Sequence, residues 1–287
     1  MAAFDSFLEQ AWSDHGDAPA EVAERLEQGY ALIETPAQIA PFARILAHVD
    51  GEHLARWAEG MARLERLRAH PKWDENGEAP TLVRRLLAAL RFGSGDESVT
   101  GLGAADRAHA HAVVAAALVA QGHRADAFRH FRAGLVAAPG LDDDDPAVRA
   151  LAIAANNLAA ALEELPSRTV DDTAFMLEAA RAAREYWARA GGWLETERAE
   201  YRLAKCHLAA GDAKHALAHA RQCVAICEDN GADAFERFFG EAIRALACRA
   251  LADDRAFEQA RAAALAHHDA LPADQKRWCE AMLASIA

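Results

Sequence analysis

Hydrophobic positions recur every three or four residues along most of the chain, which is the spacing of one buried helix face. In the N-terminal third this pattern predicts helices over residues 4–13, 21–33, 39–49, 53–67 and 81–90. Alternating runs of β-branched and aromatic residues, which are typical of strands, do not occur. The 9 prolines and 17 glycines gather in short clusters, where they predict turns. We therefore expect an all-α protein.

The clearest unit of the chain is a helical pair closed by proline. Its first helix ends at Gly122, and its second helix carries Ala127, Phe131 and Gly134 on one face before Pro139. This order of small and aromatic residues after a turn glycine resembles the tetratricopeptide repeat.

The same features return further along the chain at a nearly constant interval. Leu158 precedes Leu203 by 45 residues, and Cys206 precedes Cys248 by 42. Because the standard tetratricopeptide period is about 34 residues, the resemblance is to long-repeat members such as the kinesin light-chain type, and it covers roughly residues 103–264. It implies a right-handed α-α superhelix whose first helices line a concave groove. An ordinary helical bundle that uses alanine as filler is the alternative.

A glycine-rich segment, residues 92–103, predicts a boundary between two domains. Residues 1–92 would form N-terminal helical hairpins, which could be divergent repeats, and residues 104–287 would form the repeat array. The segment has neither a preceding strand nor the Gly-Lys-Ser/Thr ending of a phosphate-binding loop, so we interpret it as a connector.

The charge of the chain indicates which classes of partner to expect. The net charge is −13 and the isoelectric point is about 5.4, so a basic footprint for nucleic acid is not expected. The start of the chain lacks a basic signal-peptide region, and no window reaches the ~18 apolar residues of a membrane helix. Five cysteines without a Cys-x-x-Cys pair are typical of buried reduced thiols. These features predict a soluble cytoplasmic protein without a membrane partner.

The sequence contains no recognisable catalytic motif. The run Asp142–Asp145 lacks the alternating ligands and central glycine of a calcium loop, and it directly precedes Pro146. It therefore predicts the capped start of a helix. No serine or cysteine lies in a nucleophile motif. We expect no catalytic residue, no cofactor and no metal ligand.

Histidine is nevertheless abundant, with 13 residues, and one group leaves a second interpretation open. His48, Glu52 and His53 lie close in sequence, but Asp50-Gly51 is expected to break the helix between them. His215 and His219 are four residues apart without an evident third ligand. A helical metal-binding protein or metal-dependent enzyme centred on His48, Glu52 and His53 is thus an alternative.

The candidate binding site is a basic stripe. It comprises Arg198, Tyr201, Arg202 and Lys205, which are spaced along one helix face, and Asn156 and Asn157, which hold the positions of Tyr201 and Arg202 in the preceding repeat. The stripe is similar to the carboxylate clamp of tetratricopeptide proteins, although Ala112 and Ala116 stand where the clamp has lysine and asparagine. Such side chains would grip an acidic or extended peptide. Alternatively, the stripe is a solvated face paired locally with Glu195, Glu197 and Glu200.

These observations predict a binding module: an adaptor, co-chaperone or regulatory scaffold that holds a protein or peptide in its groove. A peptide-sensing regulator that joins DNA-binding helices to such repeats is a further alternative, although residues 1–70 show no basic recognition helix. Homo-oligomerisation stays open.

Overall fold

The structure, a computed structural model, describes residues 2–96 and 98–287. These residues form 14 α-helices and no strand, which confirms the prediction of an all-α protein for the described part of the chain. The helices are α1 (Ala2–Asp14), α2 (Pro19–Gly29), α3 (Ile39–Ala47), α4 (Trp57–Arg68), α5 (Ala79–Gly93), α6 (Ala104–Ala120), α7 (Arg124–Ala137), α8 (Pro146–Glu163), α9 (Val170–Ala190), α10 (Trp193–Ala209), α11 (Ala213–Asp229), α12 (Ala234–Ala250), α13 (Asp254–Asp269) and α14 (Ala273–Ser285). Short 3-10 turns lie at Tyr30–Leu32 and Pro36–Gln38, and His48–His53 is a π-helix.

The chain divides into two compact units, and the division along the sequence falls within α8. The first unit ends at Ala154, and the second is Ala155–Ala287. The boundary predicted at residues 92–103, between N-terminal helical hairpins and a repeat array, stays a prediction. None of the helices in the described part of the chain combines the length and the apolar character needed to cross a membrane.

The core of the first unit centres on Phe42 of α3, a helix that is buried on nearly all sides. The rings of Phe4 and Tyr30 lie 6.2 and 5.2 Å from the Phe42 ring, both edge-on. Gly29 packs so close to this ring that a Cβ there would lie 2.5 Å from it. The absence of a side chain at Gly29 therefore lets α2 approach the aromatic cluster.

The predicted unit around Gly122 is a helical pair in the structure, in which α6 packs against α7. Gly122 adopts φ +79° in the turn, a left-handed conformation that favours glycine. Ala127, Phe131 and Gly134 are buried on one face of α7, and a Cβ on Gly134 would lie 3.2 Å from Leu151. The small residues thus allow close packing between neighbouring helices, as the sequence pattern predicted.

Consecutive pairing continues in the second unit, where α10 packs on α11 and α12 on α13. Each pair also contacts its neighbour, because α11 touches α12 and α10 touches α12. The turn after α10 contains Gly211 at φ +76°, and the turn after α12 contains Ala252 at φ +57°. The turn after α12 therefore contains a left-handed residue that is not glycine. This arrangement is compatible with a helical repeat.

Two smaller predictions are also confirmed. Asp145 accepts a hydrogen bond from the backbone N–H of Ala147 at 2.8 Å, at the point where Pro146 begins α8. The acidic run therefore ends in a helix cap, which stabilises the first turn. All five cysteines are buried free thiols.

Candidate functional site

The predicted basic stripe lies on α10, within residues 155–287. Tyr201 is half-buried, and its ring packs edge-on against Phe239 of α12 at 5.8 Å between centroids. Burial raises the pKa of Tyr201 well above its usual value, so the hydroxyl stays neutral at physiological pH. Tyr201 therefore supplies an apolar contact between α10 and α12 in the middle of the stripe.

The three basic side chains of the stripe are held by carboxylates from neighbouring helices. Glu163 of α8 accepts from Lys205 at 2.9 Å and from Arg202 at 3.3 Å. Glu236 of α12 pairs with the Arg198 guanidinium through both carboxylate oxygens. Ion pairs with residues of α8 and α12 thus connect α10 to both of these helices.

Exposure differs along the stripe. The Arg198 side chain is 57 % exposed, whereas those of Arg202 and Lys205 are 18 % and 26 % exposed. On α8, Asn156 is half-buried and Asn157 is exposed. The structure brings α8 and α10 into contact, since Cys206 of α10 lies 3.9 Å from the carbonyl oxygen of Ala159. That the asparagines act together with the stripe stays a prediction.

Glu200, one of the three glutamates of the local-pairing interpretation, pairs with side chains of α9 and α11. Glu200 accepts from Arg184 of α9 at 2.5 Å and from His219 of α11 at 2.7 Å. Burial alone would raise the pKa of Glu200, but the hydrogen bonds from His219 and Arg184 lower it below its usual value. This carboxylate of α10 therefore connects its helix to both α9 and α11.

Sequence reasoning missed Glu163 and Glu236, the acidic partners of the stripe. They lie 39 and 38 residues from Arg202 and Arg198, beyond the range of any local pattern. One signal could have found them, because a repeat of 42 to 45 residues places equivalent first helices side by side. Carboxylates on those neighbouring helices were then candidates for partners.

Glu197 occupies the interior beside the stripe. Its side chain accepts from the Cys223 thiol at 2.7 Å, and the residue is 1 % exposed. Burial raises the pKa of Glu197 to about 7. The hydrogen bond with Cys227, together with burial, raises the pKa of Cys223, so a neutral thiol donates to Glu197.

Glu197 is expected to make the protein less stable as the pH rises. The folded state holds this proton up to about pH 7, whereas an unfolded glutamate releases it near pH 4.5. The contribution of the neutral carboxyl to the free energy of unfolding is therefore fully present below pH 4.5, and it is lost as the pH rises from there through 7. The loss is about 3 kcal/mol at about 1.4 kcal/mol per pKa unit.

Urea unfolding of wild type and Glu197→Gln between pH 4.5 and 8 measures this effect. The free energy of unfolding of the wild type should fall relative to that of the variant by about 3 kcal/mol across this range. Glu185→Gln on the exposed face of α9 is the control, and its difference from wild type should stay constant. A constant difference for Glu197→Gln as well would contradict the assignment.

The backbone around His48, Glu52 and His53 differs from the predicted one. The helix does not break at Asp50-Gly51 but continues as the π-helix His48–His53, so that expectation is wrong. His48 Nδ1 lies 2.7 Å from Glu52, and His48 Nε2 lies 3.1 Å from His53 Nε2. The structure therefore brings these three side chains together.

His215 and His219 instead bind different carboxylates. His215 Nδ1 lies 2.6 Å from Asp212, whereas His219 Nδ1 lies 2.7 Å from Glu200. Both rings stack on the ring of His207, with centroids 5.2 and 5.3 Å away.

Among known proteins, no family model matches this chain, and no curated protein is significantly similar to it in sequence.

Proposed function

We propose that the protein is a binding scaffold, and that the face formed by α8, α10 and α12 within residues 155–287 holds a protein or an acidic or extended peptide. The proposal includes a right-handed superhelix of tetratricopeptide-like hairpins, which the consecutive pairing of helices supports. It includes no catalytic residue or cofactor.

One observation carries the proposal: three basic side chains of one helix face are held in place by carboxylates of the two neighbouring first helices. Arg198 pairs with Glu236, and Arg202 and Lys205 share Glu163, which gathers three cations on one face of a chain of net charge −13. The internal ion pairs also hold the long side chains in position, so less conformational entropy is lost when a ligand binds. A partner carboxylate can bind by displacing Glu163 or Glu236.

Two double variants, which are expected to change partner capture in opposite directions, test this site. Arg198→Ala with Arg202→Ala should preserve helicity by circular dichroism and lose the partner that wild type captures from cell extract. Glu163→Gln with Glu236→Gln should capture more of the same partner, because the basic side chains no longer have competing carboxylates. Quantitative mass spectrometry measures the captured amounts.

The control variant removes two arginines from the second helices of the pairs α10–α11 and α12–α13. Arg221 of α11 and Arg255 of α13 are exposed, so Arg221→Ala with Arg255→Ala changes the net charge equally and should leave capture unchanged. If the stripe variant captures as much as wild type, or if the control loses equally, the site is wrongly placed.

A further inference from the structure

Three imidazoles converge in the first unit, away from the basic stripe. His15 follows α1, while His48 and His53 lie on the π-helix. Ring centroids are 4.8 Å apart for His48 and His53, 4.9 Å for His15 and His48, and 5.1 Å for His15 and His53. One ring nitrogen from each residue lies within 4.8 Å of the other two.

The π-helix is what places His48 and His53 together. Residues five apart in an α-helix lie roughly 140° apart around its axis, because each residue turns it by about 100°. The wider π-turn instead brings residues five apart onto one side. Asp50 and Gly51 hold this turn from inside: Arg63 donates to both oxygens of Asp50 at 2.9 and 3.1 Å, and Gln121 donates to the Gly51 carbonyl at 2.7 Å.

Hydrogen bonds behind the rings orient their free nitrogens. His15 Nδ1 lies 2.6 Å from the carbonyl oxygen of Trp12, which can only accept, so Nδ1 carries the proton and Nε2 keeps its lone pair. His48 Nδ1 likewise donates to the Glu52 carboxylate at 2.7 Å, so its Nε2 lone pair points to His53 Nε2. Metal-binding histidines commonly have such partners, which fix the ring and its tautomer.

The distance between the His48 and His53 nitrogens fits a small cation. Two nitrogens on a tetrahedral zinc ion, each bonded at 2.0–2.1 Å, lie about 3.3 Å apart. His48 Nε2 and His53 Nε2 are 3.1 Å apart. Imidazole ligands favour zinc, copper and nickel, whereas calcium and magnesium prefer oxygen.

We propose that His15, His48 and His53 bind a divalent transition-metal ion of the zinc class, with Glu52 orienting His48 and a fourth position left for water or another ligand. From the sequence, a metal site centred on His48, Glu52 and His53 was an alternative rather than the leading prediction, and His15 was missed because it lies 33 positions before His48. The site joins the end of α1 to the π-helix, so the ion would also stabilise this part of the fold.

The second histidine cluster, in the other unit, is the weaker candidate. His207, Asp212 and His215 also have ligand atoms within 4.8 Å of one another. The Asp212 carboxylate, however, caps α11 by accepting from the backbone N–H of His215, and it binds the His215 ring at 2.6 Å. Its oxygens are therefore already used inside the protein.

Zinc binding by the full chain, with any purification tag removed, tests the proposal. After removal of metal by a chelator, wild type should take up one zinc ion per chain, as measured by elemental analysis and by competition with a chromogenic chelator. His48→Gln with His53→Gln should weaken zinc binding at least 100-fold, and Glu52→Gln should weaken it about 10- to 100-fold. Circular dichroism of each variant checks that the fold is retained.

Cobalt gives an independent readout of the same site. Cobalt-loaded wild type should show the intense visible bands of tetrahedral coordination, and the His48→Gln, His53→Gln variant should lack them. His123→Gln, which removes an exposed imidazole elsewhere in the same unit, is the control and should behave as wild type. Absence of zinc from wild type would overturn the proposal, and so would zinc that survives in the double variant but is lost in His215→Gln.

Discussion

Replacing Arg63 by methionine is expected to reduce the free energy of unfolding by about 3–5 kcal/mol, the usual cost of leaving a buried charge without its partner. Asp50 is 0 % exposed, and both of its oxygens accept from the Arg63 guanidinium. Methionine fills much of the same volume but supplies no charge and no donor. The Asp50 carboxylate would then remain in the interior without compensation.

Urea unfolding followed by circular dichroism measures this loss, and α4 offers a matched control. Arg68 forms a surface pair with Glu65 at 3.0 Å and is 54 % exposed, so Arg68→Met should cost less than about 1 kcal/mol. Adding Asp50→Asn to Arg63→Met should recover about half of the loss or more, because the buried group is then uncharged. Equal effects of Arg63→Met and Arg68→Met would show that the buried pair is wrongly assigned.

The second large effect is expected for Phe131→Ala, which should reduce the free energy of unfolding by about 3–5 kcal/mol. Phe131 is fully buried on the face of α7 that also carries Ala127 and Gly134. Truncation removes most of an aromatic side chain from a closely packed interface and leaves a cavity that rigid helices fill only in part.

Phe128 on the same helix provides the control for this substitution. It is half-buried, and the Arg132 guanidinium lies over its ring at 4.0 Å. Phe128→Ala should therefore cost clearly less than Phe131→Ala, and Phe131→Leu should cost less than about 1.5 kcal/mol because it keeps most of the volume. Thermal and urea unfolding compare the three variants. If Phe128→Ala is the more costly, the predicted repeat face of α7 is wrong.

Features that depend on neighbours in the sequence were predicted well. The spacing of apolar residues predicted α-helices because each α-helix buries one stripe. The glycine, alanine and phenylalanine positions after Gly122 predicted a packed pair, since small residues permit close approach and an aromatic fills the space beside them. The proline after Asp145 predicted a helix start for an equally local reason.

The candidate sites depended on distant residues, and here local reasoning was insufficient. The stripe on α10 was placed on one face, but its partners Glu163 and Glu236 come from two other helices. The glycine at position 51 indicated a helix break, whereas tertiary contacts of Asp50 and Gly51 stabilise a π-helix instead. These contacts contribute more than the local preference of glycine.

The sequence by itself determined that the chain is all-α, where most turns lie and which faces are apolar, because these follow from interactions over three or four residues. Only the tertiary structure decided which charges are neutralised, which carboxyl takes up a proton near pH 7, and that His15 meets His48 and His53. Burial, and encounters between side chains far apart in sequence, set these properties, and both arise only when the helices pack.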